Sequence, residues 1–391
     1  MSRGGPLELL EFFAGGGMAR LGLGERWSCI RANDVDPLKA ATYRANFGGG
    51  HLIEGDVWTL TAGELPGRAD LAWASSPCQD LSLAGARAGL SGARSSAFWG
   101  FWRLIERLDA EGRAPRALVL ENVAGLLTSN DGADLAAIGE AFAGLDYRFG
   151  AVEIDASAFL PQSRPRAFVI ATRAPPGALA GAASEGATLA IRRAAARLPE
   201  RLRTHWIWWR LGSPPPRNAT LAGLLEPDAA VRWRSPAQTR ALRAQMSPLH
   251  AARLDAALAR GERVVAAVYR RVRRTADGTR VQRAELRLDG LAGCLRTPGG
   301  GSSRQLLVIA DGGAVRSRWL TPREGARLMG LPDSYRLPDG ATAAWRVIGD
   351  GVAVPVVRHL AEGILEPLLD GRADADGRAT ISERTRAARR A

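Results

Sequence analysis

Residues 7–24, LELLEFFAGGGMARLGLG, set an apolar run of strand character against three consecutive glycines, Gly15, Gly16 and Gly17, and then against helical spacing. Glycines at such a turn let the backbone reverse tightly and approach a ligand closely, as in the opening strand–turn–helix unit of a doubly wound α/β sheet. The pattern repeats outward. Apolar runs at 7–13, 28–33, 70–75, 117–121 and 167–172 predict strands, while 37–46, 95–110 and 133–143 carry the apolar spacing of helices. Strands alternating with helices predict a mainly parallel sheet. No internal repeat is present.

At 391 residues the chain is long enough for two lobes. No apolar run approaches the roughly 20 residues of a bilayer crossing, and the N-terminus lacks the cationic segment, apolar core and cleavage site of an export signal, so a soluble, cytoplasmic protein is expected. Cys29, Cys78 and Cys294 are too few and too scattered for a disulfide framework or a zinc pair, and no metal-ligand cluster is found. The net charge of +13 is unevenly placed: residues 192–304 hold 23 arginines and no lysine against 8 acids, a net of +15, which leaves the rest at −2. Codon bias explains arginine over lysine but not the excess over acids, so the segment is read as a nucleic-acid-binding surface.

The character changes at Ala174, where APPGALAGAASEGA reads as a small-residue linker, followed by HWIWWR and the turn-rich SPPPRN. We expect a catalytic and cofactor-binding lobe over 1–175, a smaller basic domain over 176–300, a return segment over 301–366 that completes the first lobe, and a disordered tail over 367–391. His205, Trp206, Trp208 and Trp209 are expected in the core of the smaller lobe.

Chemistry-bearing residues fall at successive strand ends. Asp34 and Asp36, about 20 residues beyond the glycine turn, suit ribose hydroxyls. Asp56, in EGDVW, could accept from an adenine amino group. Together with the glycines they point to an adenosine cofactor. ASSPCQDLSLAG follows the next strand and places Cys78 at the carboxyl edge of the sheet, between Pro77 and polar neighbours that argue against a core cysteine. ALVLENV brings Glu121 and Asn122 to the end of a further strand. A cysteine and a glutamate at adjacent strand ends are a candidate nucleophile and acid.

The order FAGGG, NDVD, GDV, PCQ, ENV, QSRPR, RWLTPREGARLMGLPD and GDGV closely resembles the cytosine-C5 DNA methyltransferase family of bacteria and phages, over roughly 7–173 and 291–366. The resemblance implies a Rossmann-like S-adenosylmethionine-dependent α/β methyltransferase fold with a smaller target-recognition domain, which falls on the basic segment. It implies the cofactor loop at Phe13, Gly15 and Gly17, the ribose acid at Asp34, adenine contacts at Asp56 and Val57, and cofactor contacts at Pro77 and Asp350. Cys78 matches the nucleophile, Glu121 the acid at cytosine N3, and Arg164 an arginine that supports the base and the thiolate; Arg166 reads as structural, paired with a nearby carboxylate. Met18 replaces the last glycine usual in the first motif, and Gly349–Val352 reads GDGV where the family more often has GNSV.

The implied reaction transfers methyl from S-adenosylmethionine to C5 of a cytosine flipped out of duplex DNA lying between two lobes. Arg270, Arg271, Arg273 and Arg274 are candidates for phosphate or guanine contacts, and Arg296 and Thr297 for a re-entry near the DNA. A monomer is expected, serving beside a cognate restriction endonuclease or in a solitary or phage role. The alternatives are the same chemistry on tRNA, and a DNA-binding protein that keeps the fold without catalysis.

Overall fold

The computed structural model describes residues 5–77, 97–182, 186–274, 278–297 and 304–371. The chain divides into two compact units, one drawing on the stretches up to Ile154, Pro165–Pro214 and Pro355 onward, the other on Asp155–Arg164 and Pro215–Val354. The tail expected over 367–391 begins later than that, since Leu368 and Leu369 are buried in the helix Glu366–Leu369; its residues from 372 lie outside the described residues, as does Ser95 at the start of an expected helix.

In the first unit the chain runs β1 (Leu7–Phe12), α1 (Met18–Leu23), β2 (Trp27–Asp34), α2 (Pro37–Phe47), β3 (Leu52–Glu54), β4 (Leu71–Ala74), α3 (Ala97–Ala110), β5 (Ala117–Val123), α4 (Ala133–Gly144), β6 (Arg148–Asp155), β7 (Pro165–Thr172), α5 (Leu189–Arg197) and α6 (Glu200–Arg203). Seven strands form one sheet in the order β3-β2-β1-β4-β5-β7-β6. The first five are mutually parallel, and β7 runs antiparallel to β5. LAWA in β4 is buried throughout, as a central parallel strand covered on both faces must be. Helix α3 places Phe98, Phe101, Trp102, Ile105 and Leu108 at helical spacing into the core, with the Phe101 ring edge-on to Phe12 at 5.0 Å.

The tryptophans depart from expectation. Trp206 is buried against Phe149 of β6, ring centroids 5.4 Å apart, and Ile207 N–H donates to Phe149 O at 2.6 Å. HWIWWR thus packs in the first unit, not in the smaller lobe.

The second unit contains α7 (Pro236–Ala244), α8 (Pro248–Leu258), β8 (Val264–Arg274), β9 (Arg280–Arg287), β10 (Leu306–Asp311), β11 (Ala314–Trp319), α9 (Pro322–Leu328) and α10 (Ala341–Asp350). Its sheet has the order β11-β10-β8-β9. Helices α7, α8 and α9 all start on a hydroxyl cap followed by proline: Ser235, Ser247 and Thr321 each accept a backbone N–H of the first turn, and proline sits where no donor is missed. Leu242, Met246 and Leu254 pack on Ala266, Val268, Leu286, Leu306 and Val308.

Residues 306–319, expected to complete the first lobe, therefore join this second sheet, β10 pairing with β8 and β11 with β10, because Leu306 and Val308 supply its apolar face. Only after Pro355 does the chain rejoin the first unit, through α11 (Val354–Leu360) and α12 (Glu366–Leu369). There Trp27 Nε1 donates to Glu366 at 3.1 Å and Arg116 to Leu369 O at 2.7 Å. Among the described residues no helix is long and apolar enough to cross a membrane.

Candidate active site

The strand order changes direction between β1 and β4, and the carboxyl ends around such a switch point are where open α/β sheets bind ligands. The glycine loop follows β1. Phe13 (φ 55°), Gly15 (φ 57°) and Gly17 (φ 78°) all adopt left-handed backbone there. For Phe13 this is a strained conformation, of the kind that persists where surrounding structure over-determines it. At Gly17 a Cβ would also lie 2.3 Å from the Phe47 ring, so glycine is required twice over. A Cβ at Gly15 would meet nothing within 4 Å, so the loop leaves open space on that side.

Asp34, at the end of β2, fixes this loop. Its Oδ2 accepts Gly15 N–H at 2.7 Å and its Oδ1 accepts Asp36 N–H at 2.8 Å, while burial raises its pKa above the ordinary carboxylate value. Next to it Val35 is 64% exposed, an apolar side chain held in water at the sheet edge that the sequence reading passed over. Asp56 follows β3 and accepts Trp58 N–H at 3.0 Å, an Asx turn that leaves the carboxylate at the surface. Val57 is otherwise placed than expected: its side chain is buried in the core, where a Cβ on Gly100 of α3 would approach it to 2.7 Å. It can offer a ligand only its backbone.

A buried polar knot lies beneath the loop. Glu11 of β1 accepts Arg20 N–H of α1 at 3.2 Å and the Tyr43 hydroxyl of α2 at 3.2 Å; Arg20 Nη1 donates to the same hydroxyl at 3.0 Å, and His51 Nε2 lies 3.2 Å from it. Complete burial pushes Glu11 from 4.5 up to about 7, against the opposing effects of the Arg20 N–H and charge. A carboxyl raised in the folded state stabilises fully below its unfolded pKa, and that stabilisation is lost as pH rises through the folded value. Wild-type stability should thus fall between pH 4.5 and 7 by up to about 3 kcal/mol, a figure set by ~1.4 kcal/mol per pKa unit. Glu11→Gln should flatten that fall in urea-unfolding midpoints; identical pH profiles would show that Glu11 is not protonated in the native state. Burial and the Glu11 charge also push the Cys29 thiol up to about 12, which makes it inert as a nucleophile near neutral pH.

At the end of β4, Ser76 is buried and Pro77 half-buried; Cys78 lies outside the described residues. The approach to position 78 is nevertheless anchored. Asn122 of β5 donates through Nδ2 to Ser76 Oγ at 3.1 Å and accepts Val123 N–H at 2.8 Å. Asn122 is a positioning residue whose role needed the β4–β5 pairing to become visible. Glu121, one residue earlier and buried, pairs with Arg166, Nε to Oε1 at 3.1 Å. Glu121 stands opposite Phe168 and Val123 opposite Arg166 in the antiparallel β5–β7 ladder, so Arg166 is the diagonal neighbour of Glu121 on one face. The carboxylate expected to partner Arg166 is thus the candidate acid itself.

Arg164, expected beside the base and thiolate, has other partners. It is 1% exposed and belongs to the second unit, where its guanidinium donates to Leu295 O (2.7 Å), Gly349 O (2.9 Å), Gly351 O (2.6 Å) and Cys294 Sγ (3.4 Å). Asp155 holds the turn that carries it, accepting Arg164 N–H at 2.7 Å and Ser157 N–H at 2.9 Å. A Cβ at Gly349 would lie 2.2 Å from Thr297 N, so the GDGV glycine permits the chain at 296–297 to pass against α10. Thr297 and Asp350, expected to serve DNA and cofactor separately, bond to each other at 2.6 Å. Arg296 is exposed, as are Arg271, Arg273 and Arg274; Arg270 is half-buried with its guanidinium 5.0 Å from the Trp319 ring centre.

A glycine loop after the first strand, an acid at the end of the second and a buried carboxylate on the fifth fit the S-adenosylmethionine-dependent methyltransferase class of α/β protein. The profile of the C-5 cytosine-specific DNA methylase family matches residues 7–366, and the chain belongs to that family. It is 27% identical to the Type II methyltransferase M.DsaV of Dactylococcopsis salina over 361 residues, 92% of this chain and 86% of that one. It is 25% identical to M.HhaI of Haemophilus parahaemolyticus over 368 residues, 92% and 94% of the two chains. The fold is shared with Schizosaccharomyces pombe Dnmt2 (TM-score 0.58, 17% identity, 93% and 99% covered) and Entamoeba histolytica EhMeth (TM-score 0.60, 13% identity, 93% and 99% covered).

Proposed function

We propose that the chain methylates C5 of cytosine in duplex DNA with Cys78 as nucleophile, Glu121 as the acid at N3 and Arg166 as the cation that orients Glu121. The observation that carries this reading is the convergence of the glycine loop, Asp34, the Ser76–Pro77 approach to position 78 and the Glu121–Arg166 pair on one carboxyl edge of the first sheet.

Cytosine C5 is too weak a nucleophile to be methylated directly. Attack by the Cys78 thiolate on C6 forms an S–C6 bond and displaces the C5–C6 π pair into the ring, and the proton of Glu121 passes to N3 to absorb that charge. The ring is then an enamine with C5 as its reactive carbon. S-adenosylmethionine supplies the electrophilic methyl group. Loss of the C5 proton to a base and expulsion of the thiolate restore the double bond, while N3 returns its proton to Glu121. Phe13, Gly15, Gly17, Asp34, Val35 and Asp56 are the residues that would hold the cofactor: the open space at Gly15 gives it room, Asp34 faces the loop, and exposed Val35 offers an adenine an apolar surface. Arg164 acts at a distance as a clamp of the second unit. Because C6 is inaccessible in a stacked duplex, the cytosine must be flipped out at a cost of a few kcal/mol.

The Type II names of the relatives support a restriction–modification role; our reading adds a cytoplasmic monomer working beside a cognate endonuclease. Bisulfite sequencing of plasmid DNA from expressing cells tests the activity. Protected cytosines in one short sequence context, absent with empty vector, are the expected result; an unmethylated plasmid from cells containing soluble, cofactor-binding protein would remove duplex DNA as the substrate.

A further inference from the structure

Strand β10 pairs with β8 only over Val264–Val268, whereas β9 pairs with β8 all the way to Arg274. From Tyr269 to Arg274, with Arg280 to Glu285 opposite, the sheet is therefore reduced, among the described residues, to a two-stranded antiparallel ribbon, met on its β9 edge at Ala284, whose N–H donates to Gln245 O at 3.0 Å. Strand alternation and the register divide its side chains between two faces. One carries Tyr269, Arg271, Arg273, Val281, Arg283 and Glu285; the other carries Arg270, Val272, Arg274, Arg280, Gln282 and Ala284.

The faces differ chemically. On the first, Glu285 forms ion pairs with both Arg271 and Arg273, which makes a tethered cationic surface. The second carries as many arginines, Arg270, Arg274 and Arg280, but no acid; there Val272 is 61% exposed and stands directly opposite exposed Gln282, with exposed Arg274 and Arg280 at the next cross-strand position. A phosphate-binding surface needs cations and gains nothing from an exposed valine facing an amide. Base edges reward that pair: glutamine bonds bidentately to adenine N6 and N7, and an aliphatic group packs on the thymine methyl. The major groove is also wide enough to admit a two-stranded ribbon.

We propose that this ribbon enters the major groove with its Val272–Gln282 face toward the bases, and that these two residues select an A·T pair in the recognised sequence. Arg271 and Arg273, on the reverse face, serve phosphates. The assignment rests on the duplex-DNA reading above and makes specificity a property of two uncharged side chains rather than of the abundant arginines.

The test compares full-length wild type with Gln282→Ala, Val272→Ala, Gln282→Glu and Arg273→Ala, by bisulfite profiling of a plasmid library with randomised sites and by the salt dependence of duplex binding. Loss of Gln282 or Val272 is expected to raise methylation at sites altered at one base pair by about 10- to 100-fold relative to the preferred site, leaving the salt slope at its wild-type value. Gln282→Glu is expected to move the preference at that pair from adenine toward cytosine, whose amino group a carboxylate accepts. Arg273→Ala should weaken binding to all sequences alike and lower the salt slope by about 1. An unchanged context in both the Gln282 and Val272 variants, or a uniform loss across contexts, overturns the assignment. If the wild type methylates no duplex site, the duplex reading falls and takes this assignment with it, an outcome distinct from active variants with unaltered choice.

Discussion

Glu121→Gln is expected to lower kcat for methyl transfer by roughly 10²- to 10⁴-fold, the range lost when a positioned general acid is removed. The substitution keeps shape and hydrogen-bonding length but, on the proposed mechanism, deletes the proton that N3 receives as the Cys78–C6 bond forms. Binding of S-adenosylmethionine should be unaffected, since Glu121 pairs with Arg166 on the β5–β7 face and not with the glycine loop. Glutamine also alters the contact with the Arg166 guanidinium, so a double-mutant cycle is needed to separate chemistry from stability. Arg166→Gln and Glu121→Gln each break the same pair, and the double variant should be less destabilised than the sum of the two. Its turnover should stay as low as that of Glu121→Gln. A Glu121→Gln enzyme within about fivefold of wild type, measured in single turnover on duplex DNA, would remove Glu121 from proton transfer.

The second large effect concerns stability. Arg164→Leu deletes a buried guanidinium bonded to Leu295 O, Gly349 O and Gly351 O, and a leucine can satisfy none of them. Buried acceptors left unpaired cost about 1–3 kcal/mol each. A loss of about 3–5 kcal/mol is expected, a large part of the 5–15 kcal/mol that ordinarily holds a domain together. It should appear as a lower urea midpoint with an unchanged slope, provided unfolding remains cooperative. Arg164→Lys should restore only part, because a single ammonium cannot reach carbonyls spread over a planar fork. If Arg164→Leu instead folds with wild-type stability and loses only turnover, the arginine acts at the reacting base, as the family motif alone implied.

The contrast between these two arginines marks how far sequence reading reaches. The glycine turn, Asp34, the approach to Cys78 and Glu121 were legible because a βα unit places each chemical group at a strand end, a position fixed by local pattern. Glu121–Arg166 was not, since it depends on β7 running antiparallel to β5, and register across strands leaves no trace in the spacing of residues 121 and 166. β6 was missed because RFGAVEID carries charge and glycine within a short run. Trp206 was misplaced for a different reason: the small-residue stretch from Ala174 looks like a boundary, yet the chain beyond it still pairs with Phe149 of β6. Arginine enrichment spans both units, so it reports surface charge and not chain topology. At Thr297 and Asp350, motif position suggested two partners where the fold joins the residues to each other.

The ten residues Asp155–Arg164, excursive from the first unit, are woven into the second: Ala292 N–H donates to Pro161 O at 2.8 Å, Ser163 N–H to Ala292 O at 2.9 Å, and Gln162 Nε2 to Leu328 O at 2.6 Å. On the proposal that the second unit chooses the target, exchanging preference between relatives by grafting means moving a module encoded in two separated stretches. A transplant of 215–354 alone meets a host loop that must supply the same backbone partners and the same arginine. Carrying 155–164 along with its distant counterpart keeps the seam intact, and turns a search for compatible hosts into a choice of four junctions, two for each stretch.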